Sequence, residues 1–224
     1  MNLTEATTKT TLKLQDKADT LSVNDIQDII INTLEPFSKD LPRKIVGDID
    51  GDGSFDYTPP TGFLDGFSVI DSIEYPAGER IPVKMLFEDW TIYDDGVNKK
   101  IRFLVATPAT GETARVTYTI PYAKATIVNI PSNHIDAFIN LVAFHCLMAI
   151  AVRFGFSQTP TIAADSVDYQ SKGGIFAKRA REFKKTYEEF VGKSGGVKPA
   201  SLTFDWDRSP TWGGDHMTHS QRYR

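Results

Sequence analysis

From Ala137 to Val152 the chain reads AFINLVAFHCLMAIAV, and this stretch constrains the fold more than any other. At helical periodicity Phe138, Ile139, Leu141, Val142, Phe144, Leu147, Met148 and Ile150 point in every direction, so the helix has no polar face to turn to water. It has to be covered on most sides, by the rest of the chain or by a neighbouring copy. Pro131-Ser132-Asn133 opens it. At about 16 residues the helix falls short of the ~20 needed to span a bilayer, and Asn140 and His145 would be costly there, so it reads as a central core helix with no membrane role.

Two segments are built to cover it. Phe176, Ala180, Phe183, Tyr187 and Phe190 recur at alternating helical spacings and form one narrow stripe, with Ser171 as the N-cap, Gly173 and Gly174 confined to the first turn, and Gly192 as the stop. Lys178, Arg179, Arg181, Glu182, Lys184, Lys185 and Glu188 fill its other faces. Their basic members read as a solvated face, as ion-pair partners at an interface, or as a basic surface able to contact DNA. A second helix begins at Ser22, with Asp25 as capping-box partner and Ile26, Ile29, Ile30 and Leu34 on one face, and ends or kinks at Pro36.

Between these helices the period changes to two. Ile45–Ile49, Ser68–Tyr75, Trp90–Tyr93, Ile101–Val105 and Ala114–Ile120 read as strands, with Asp95-Gly96 as a hairpin turn. The expected fold class is α+β: a bundle of three main helices (21–42 and 129–192) with an inserted antiparallel β subdomain (43–128). Residues 1–20 are Thr- and Lys-rich and too polar to repay ordering, so they are expected to be a flexible arm. Residues 193–224 are rich in Gly, Ser and Pro yet carry Phe204, Trp206, Trp212 and Tyr223. Such rings are the usual anchors of interfaces, so this segment reads as an extended tail that docks on a partner, with folding back onto its own subunit as the alternative.

One loop carries a metal-like pattern. Asp48, Asp50, Asp52 and Asp56 place acidic oxygens at alternate positions around Gly51 and Gly53, as a Ca²⁺ loop needs to bring hard oxygens to about 2.4 Å from one ion. The position where an EF-hand supplies a bidentate Glu is Pro59, and the flanks read as strands. A tight hairpin using the two Asp-Gly pairs for positive φ is the plainer reading, and Ca²⁺ the only cofactor the sequence suggests. His216 and His219 have no third fixed ligand. Cys146 and His145 diverge by about 100° on a helix and cannot act together as nucleophile and base. No phosphate loop, nucleophile elbow or supported carboxylate pair is present, so no enzyme activity is expected. The formal net charge of −4 gives no reason to expect tight phosphate-backbone binding, and the single Cys fits folding in a reducing cytoplasm.

The order of several short motifs resembles the head-tail adaptor (connector) proteins of long-tailed bacteriophages. They are Gly51-Asp52-Gly53 before Tyr57, Gly66-Phe67-Ser68, Ile73-Glu74-Tyr75-Pro76-x-Gly78, Gly111-Glu112-Thr113-x-Arg115-Val116-x-Tyr118-Thr119, Ile162 through Tyr169, Ser171-Lys172, Ala177-x-Arg179-Ala180 and Tyr187. The resemblance spans roughly Leu21 to Gly192. It implies a structural protein of the virion neck, made in the host cytoplasm, whose copies form a ring, a dodecamer, below the portal protein. DNA would pass through that ring without sequence-specific contact, the tail would grip the portal, and a stopper or tail-completion protein would dock on it. The reading from another class is a calcium-dependent β-domain binding module.

Overall fold

The structure, a computed structural model, describes residues 1–15, 20–96, 98–156 and 172–193. Its architecture is mixed α+β, with four α-helices and two small antiparallel sheets among the described residues. The helices are α1 (Leu3–Leu14), α2 (Val23–Asp40), α3 (Ser132–Phe156) and α4 (Lys172–Val191). As its composition demands, α3 is the centre: α4 lies along it, and α2 and α1 cover further sides.

Three expectations about the helices are corrected. The arm expected over residues 1–20 contains a packed helix. In α1 the hydroxyls of Thr7, Thr8 and Thr11 donate to the carbonyls four residues back, so these three are satisfied inside the helix, whereas the buried Thr10 hydroxyl has no partner among the described residues. That leaves Ala6 and Leu14 free to bury fully or nearly so, while Asn2 caps the Glu5 amide at 2.7 Å. The end of α1 is pinned to α3 where Lys13 donates to Oδ1 of the buried Asn140 at 2.6 Å and pairs with Asp136. Helix α2 starts at Ser22 with the expected capping box, both bonds at 3.1 Å, but does not end at Pro36; it runs on to Asp40. Pro36 and Asn32 line an open groove, where water can reach the carbonyl that Pro leaves without an amide donor. Helix α3 has 25 residues instead of about 16, and by length and composition alone it could cross a membrane. Its reading as a core helix rests on packing instead: 61% of its most apolar window is buried inside the fold.

The strands are β1 (Arg43–Asp50), β2 (Asp56–Tyr57), β3 (Ile70–Glu74), β4 (Trp90–Asp94), β5 (Lys99–Phe103) and β6 (Thr113–Ile120). They form two sheets of order β1-β6-β3 and β2-β5-β4, which share a second core built on Ile73, Ile101, Phe103, Val116 and Tyr118. Strands β4 and β5 pair across the Asp95-Gly96 turn as expected, with Gly96 at φ +88°. The expected hairpin over residues 48–56 is not one, because β1 pairs with β6 and β2 with β5, so this loop crosses between sheets. Only Gly53 takes positive φ there. Gly51 is needed for a different reason: a Cβ on it would lie 2.3 Å from the Ala109 carbonyl oxygen.

The chain leaves the helices and returns to them through paired strands, Arg43 standing opposite Ile120. Ser38 of α2 fixes this junction, since its buried hydroxyl accepts the Tyr122 amide at 2.8 Å. A 3₁₀ turn at Lys124–Asn129 then leads into α3. Phe37 is fully buried where these parts meet, with ring centroids 5.0 Å from Phe138, 5.7 Å from Tyr122 and 6.5 Å from Tyr187. Phe37→Ala is expected to cost about 3–5 kcal/mol of stability in urea unfolding, and a loss under ~1 kcal/mol would show that this aromatic junction is not a keystone.

Candidate assembly surfaces

Among the described residues, the apolar circumference of α3 is not fully closed. Phe138, Leu141, Val142, Cys146, Leu147 and Ile150 are buried, whereas Phe144, His145, Met148 and Ala149 are half-buried and Val152 is 52% exposed. The spacing of four aligns these last residues along one edge. Beside that edge runs a shallow groove of about 290 Å³ lined by Ile29, Asn32, Thr33 and Pro36 of α2 with His145 and Ala149. The ammonium of Lys184 sits 5.6 Å from the centroid of the Phe144 ring and shields only part of the edge.

On α4, Ala180 and Tyr187 are buried, and Phe176 and Phe183 pack half-buried on the helical core. Phe176 stacks on Phe154 at 5.4 Å, and Tyr187 donates its hydroxyl to Asp40 at 2.8 Å. Burial together with that carboxylate raises the Tyr187 pKa. Phe190 ends the stripe in the open, 48% exposed and edge-on to His134. The basic residues do not act as one patch. Arg179 turns inward and donates to the Lys13 carbonyl at the C-terminus of α1, where a cation is favoured, and Lys184 and Lys185 pair with Glu188 and Glu189 one turn on. Lys178 and Arg181 are exposed.

The four aspartates of the 48–56 loop do not converge. Asp48 stands directly opposite Arg115 in the β1–β6 ladder and pairs with it at 3.0 Å. Asp56 is opposite Arg102 on β5 and meets it through two bonds of 2.6 and 2.7 Å, which hold the Asp56 carboxyl below the usual carboxylate range. Asp52 accepts the Ser54 amide at 2.8 Å, and that bond likewise lowers its pKa. Asp50 is exposed beside them. Alternation along the sequence brings the acids opposite arginines because strand register, not loop curvature, sets their positions. Among the described residues no group of three His, Cys, Asp or Glu side chains is placed to hold a metal ion. Burial pushes the Cys146 thiol up to about 12, far from a reactive thiolate.

Phe204, Trp206, Trp212 and Tyr223 of the tail, His216 and His219, the N-cap Ser171 and the motif Ile162 through Tyr169 lie outside the described residues. Two surfaces had no signal in the sequence. Exposed Phe55, Ile81, Val83, Leu86 and Phe87 lie in the turns and loops of the β region, in segments with no periodicity, and exposed Val105 lies just past the observed end of β5 at Phe103. The other is a cleft of about 630 Å³ at the helix–sheet junction, where Asp40, Arg43, Tyr122 and His134 meet from distant parts of the chain.

No protein-family model matches the chain, and no curated protein matches it. Among solved structures it is similar to a chain in the virion of native gene transfer agent (GTA) particle, at 13% identity and a TM-score of 0.28, covering 80% of this chain and 88% of that one. It is also similar to a chain in the neck of native GTA particle computed with C12 symmetry, at 14% identity and a TM-score of 0.27, covering 78% and 89%. A third is a chain in the neck of empty GTA particle computed with C6 symmetry, at 10% identity and a TM-score of 0.30, covering 80% and 88%.

His145, on the open edge of α3, has its pKa lowered by burial and then by the Lys184 charge. The folded chain therefore holds this proton less well than the unfolded chain, and stability falls as pH drops through the unfolded value near 6.5. His145→Gln is expected to flatten that part of the stability–pH curve, measured by urea unfolding between pH 7.5 and 5; an unchanged slope would contradict the burial of the imidazole.

Proposed function

We propose that the chain is a structural head-tail adaptor of a bacteriophage-type virion. Its copies form a ring, a dodecamer, below the portal, extending the DNA conduit and offering the docking surface for a stopper or tail-completion protein. The ring works mechanically and breaks no bond. Closure follows when head-to-tail contacts repeat through a rotation that returns to its start. The observation that carries the reading is the open apolar edge of α3, Phe144-Met148-Val152, which a second copy would complete. The ordered motifs from Leu21 to Gly192 supply the kind of assembly in which such an edge belongs.

In this reading the aromatic tail, with Phe204, Trp206, Trp212 and Tyr223, anchors on the portal, and the exposed apolar loops of the β region meet the next ring. Lys178, Arg181 and Lys185 are left for contacts between subunits or for loose contact with passing DNA. No observation favours a calcium-dependent module, because Asp48 and Asp56 are matched by arginines directly across their strands.

Mixing the chain with the portal ring of the same virus and imaging in negative stain is expected to show adaptor rings seated on portal. Val152→Glu is expected to leave the thermal midpoint within about 2 °C, since the side chain is exposed in the lone chain, and to abolish the rings. A wild-type chain that never rings on portal overturns the reading, and rings that survive Val152→Glu take the contact away from α3.

A further inference from the structure

The junction cleft, about 630 Å³ and open to solvent, is chemically one-sided. Leu41, Pro42, Tyr122 and Pro131 give it apolar walls. Asp40 also lines it, but that carboxylate is already taken by the Tyr187 hydroxyl and the Lys193 ammonium. Two cations remain. Arg43 has no carboxylate partner among the described residues, and Lys44 shares an exposed pair with Asp71 at 2.9 Å. The first turn of α3 also opens here, with Pro131 and His134 on the cleft wall and no acidic residue in that turn to offset the positive end of the helix. His134 adds a buried Nδ1 with no hydrogen-bond partner. The cleft therefore suits a flat apolar group flanked by negative charge.

The chain carries such a group on a tether that starts at the rim. Lys193, held by Asp40, is the last described residue of the α4 segment, and residues 194–224 continue from that point. About ten residues on comes Phe204-Asp205-Trp206-Asp207-Arg208, where an indole stands between two carboxylates. A tether of that length spans up to roughly 35 Å and keeps the segment at an effective concentration in the millimolar range near the cleft. Trp212, between Thr211 and Gly213, lacks flanking charge. In an extended strand Trp206 points one way and Asp205 and Asp207 the other, so the ring can enter while the carboxylates stay at the rim beside the cations.

We infer that in the free protein residues 204–208 dock in the junction cleft of their own chain, Trp206 against Tyr122 and Pro131 and the two aspartates beside Arg43 and Lys44. The same aromatic residues are proposed above to grip the portal, so the two engagements exclude each other and the cleft holds the segment until assembly. The inference concerns the free chain, and its failure leaves the ring reading standing, because the ring is tested at Val152 on α3.

The test is solution NMR of the full-length free chain. Trp206→Ala is expected to shift the Tyr122 and His134 ring-proton signals by removing the indole ring current, while signals of the β core residues Ile73 and Val116 stay in place. The double change Asp205→Lys and Asp207→Lys is expected to produce the same shifts. Tyr122 and His134 signals that ignore Trp206→Ala overturn the inference. A shift that appears only as protein concentration rises assigns the cleft to the tail of a second copy and overturns it equally, and a charge reversal that leaves the wild-type signals unchanged removes its electrostatic basis.

Discussion

The structure depends on one requirement, the covering of a helix that is apolar around its whole circumference. Each large side chain of α3 moved from water to a packed interior contributes roughly 1.5–3 kcal/mol, and every other helix is arranged to provide that interior. Helix α4 supplies an aromatic stripe, α2 an aliphatic face ending in Phe37, and α1 the buried Ala6 and Leu14. The remaining edge, from Phe144 to Val152, is the part that no described element fully covers. The β region sits outside that interior with a core of its own, and the chain passes between the two through the strands β1 and β6.

That junction transmits position from one core to the other. Ser38 ties the return of β6 to α2, Phe37 packs on Tyr122, Phe138 and Tyr187, and Asp40 collects both the Tyr187 hydroxyl and Lys193. The consequence is a cleft lined by residues that are neighbours in space and far apart in sequence. In the ring proposed here, such a fixed joint would let the outer β loops and the helical edge keep a constant relation from copy to copy.

Much of the architecture was legible in the sequence because it follows from periodicity. The all-apolar run of α3, the stripe on α4, the capping box at Ser22 and most strands were read from spacing, and the mixed α+β class followed from them. What was not legible depended on partners. Helix α1 looked too polar to order because composition does not show that threonines satisfy their own hydroxyls inside a helix, nor that Lys13 finds Asn140 across the bundle. Pro36 reads as an end or a kink of α2, and that the helix runs on past it was not legible because the sequence does not show the open groove beside it. The acidic loop reads as a tight hairpin, with a Ca²⁺ site as the other reading, because strand register, which sets Asp48 against Arg115 and Asp56 against Arg102, is a long-range property. The junction cleft had no local signal at all.

The central claim is that the exposed edge of α3 is an unfinished interior which another copy completes. A cryo-EM map of the assembled neck tests this most directly. The account predicts that Phe144, Met148 and Val152 of each copy lie against apolar side chains of the adjacent copy, with no solvent between them. A map in which that edge faces water or the DNA channel, with contacts between copies made elsewhere, would contradict it.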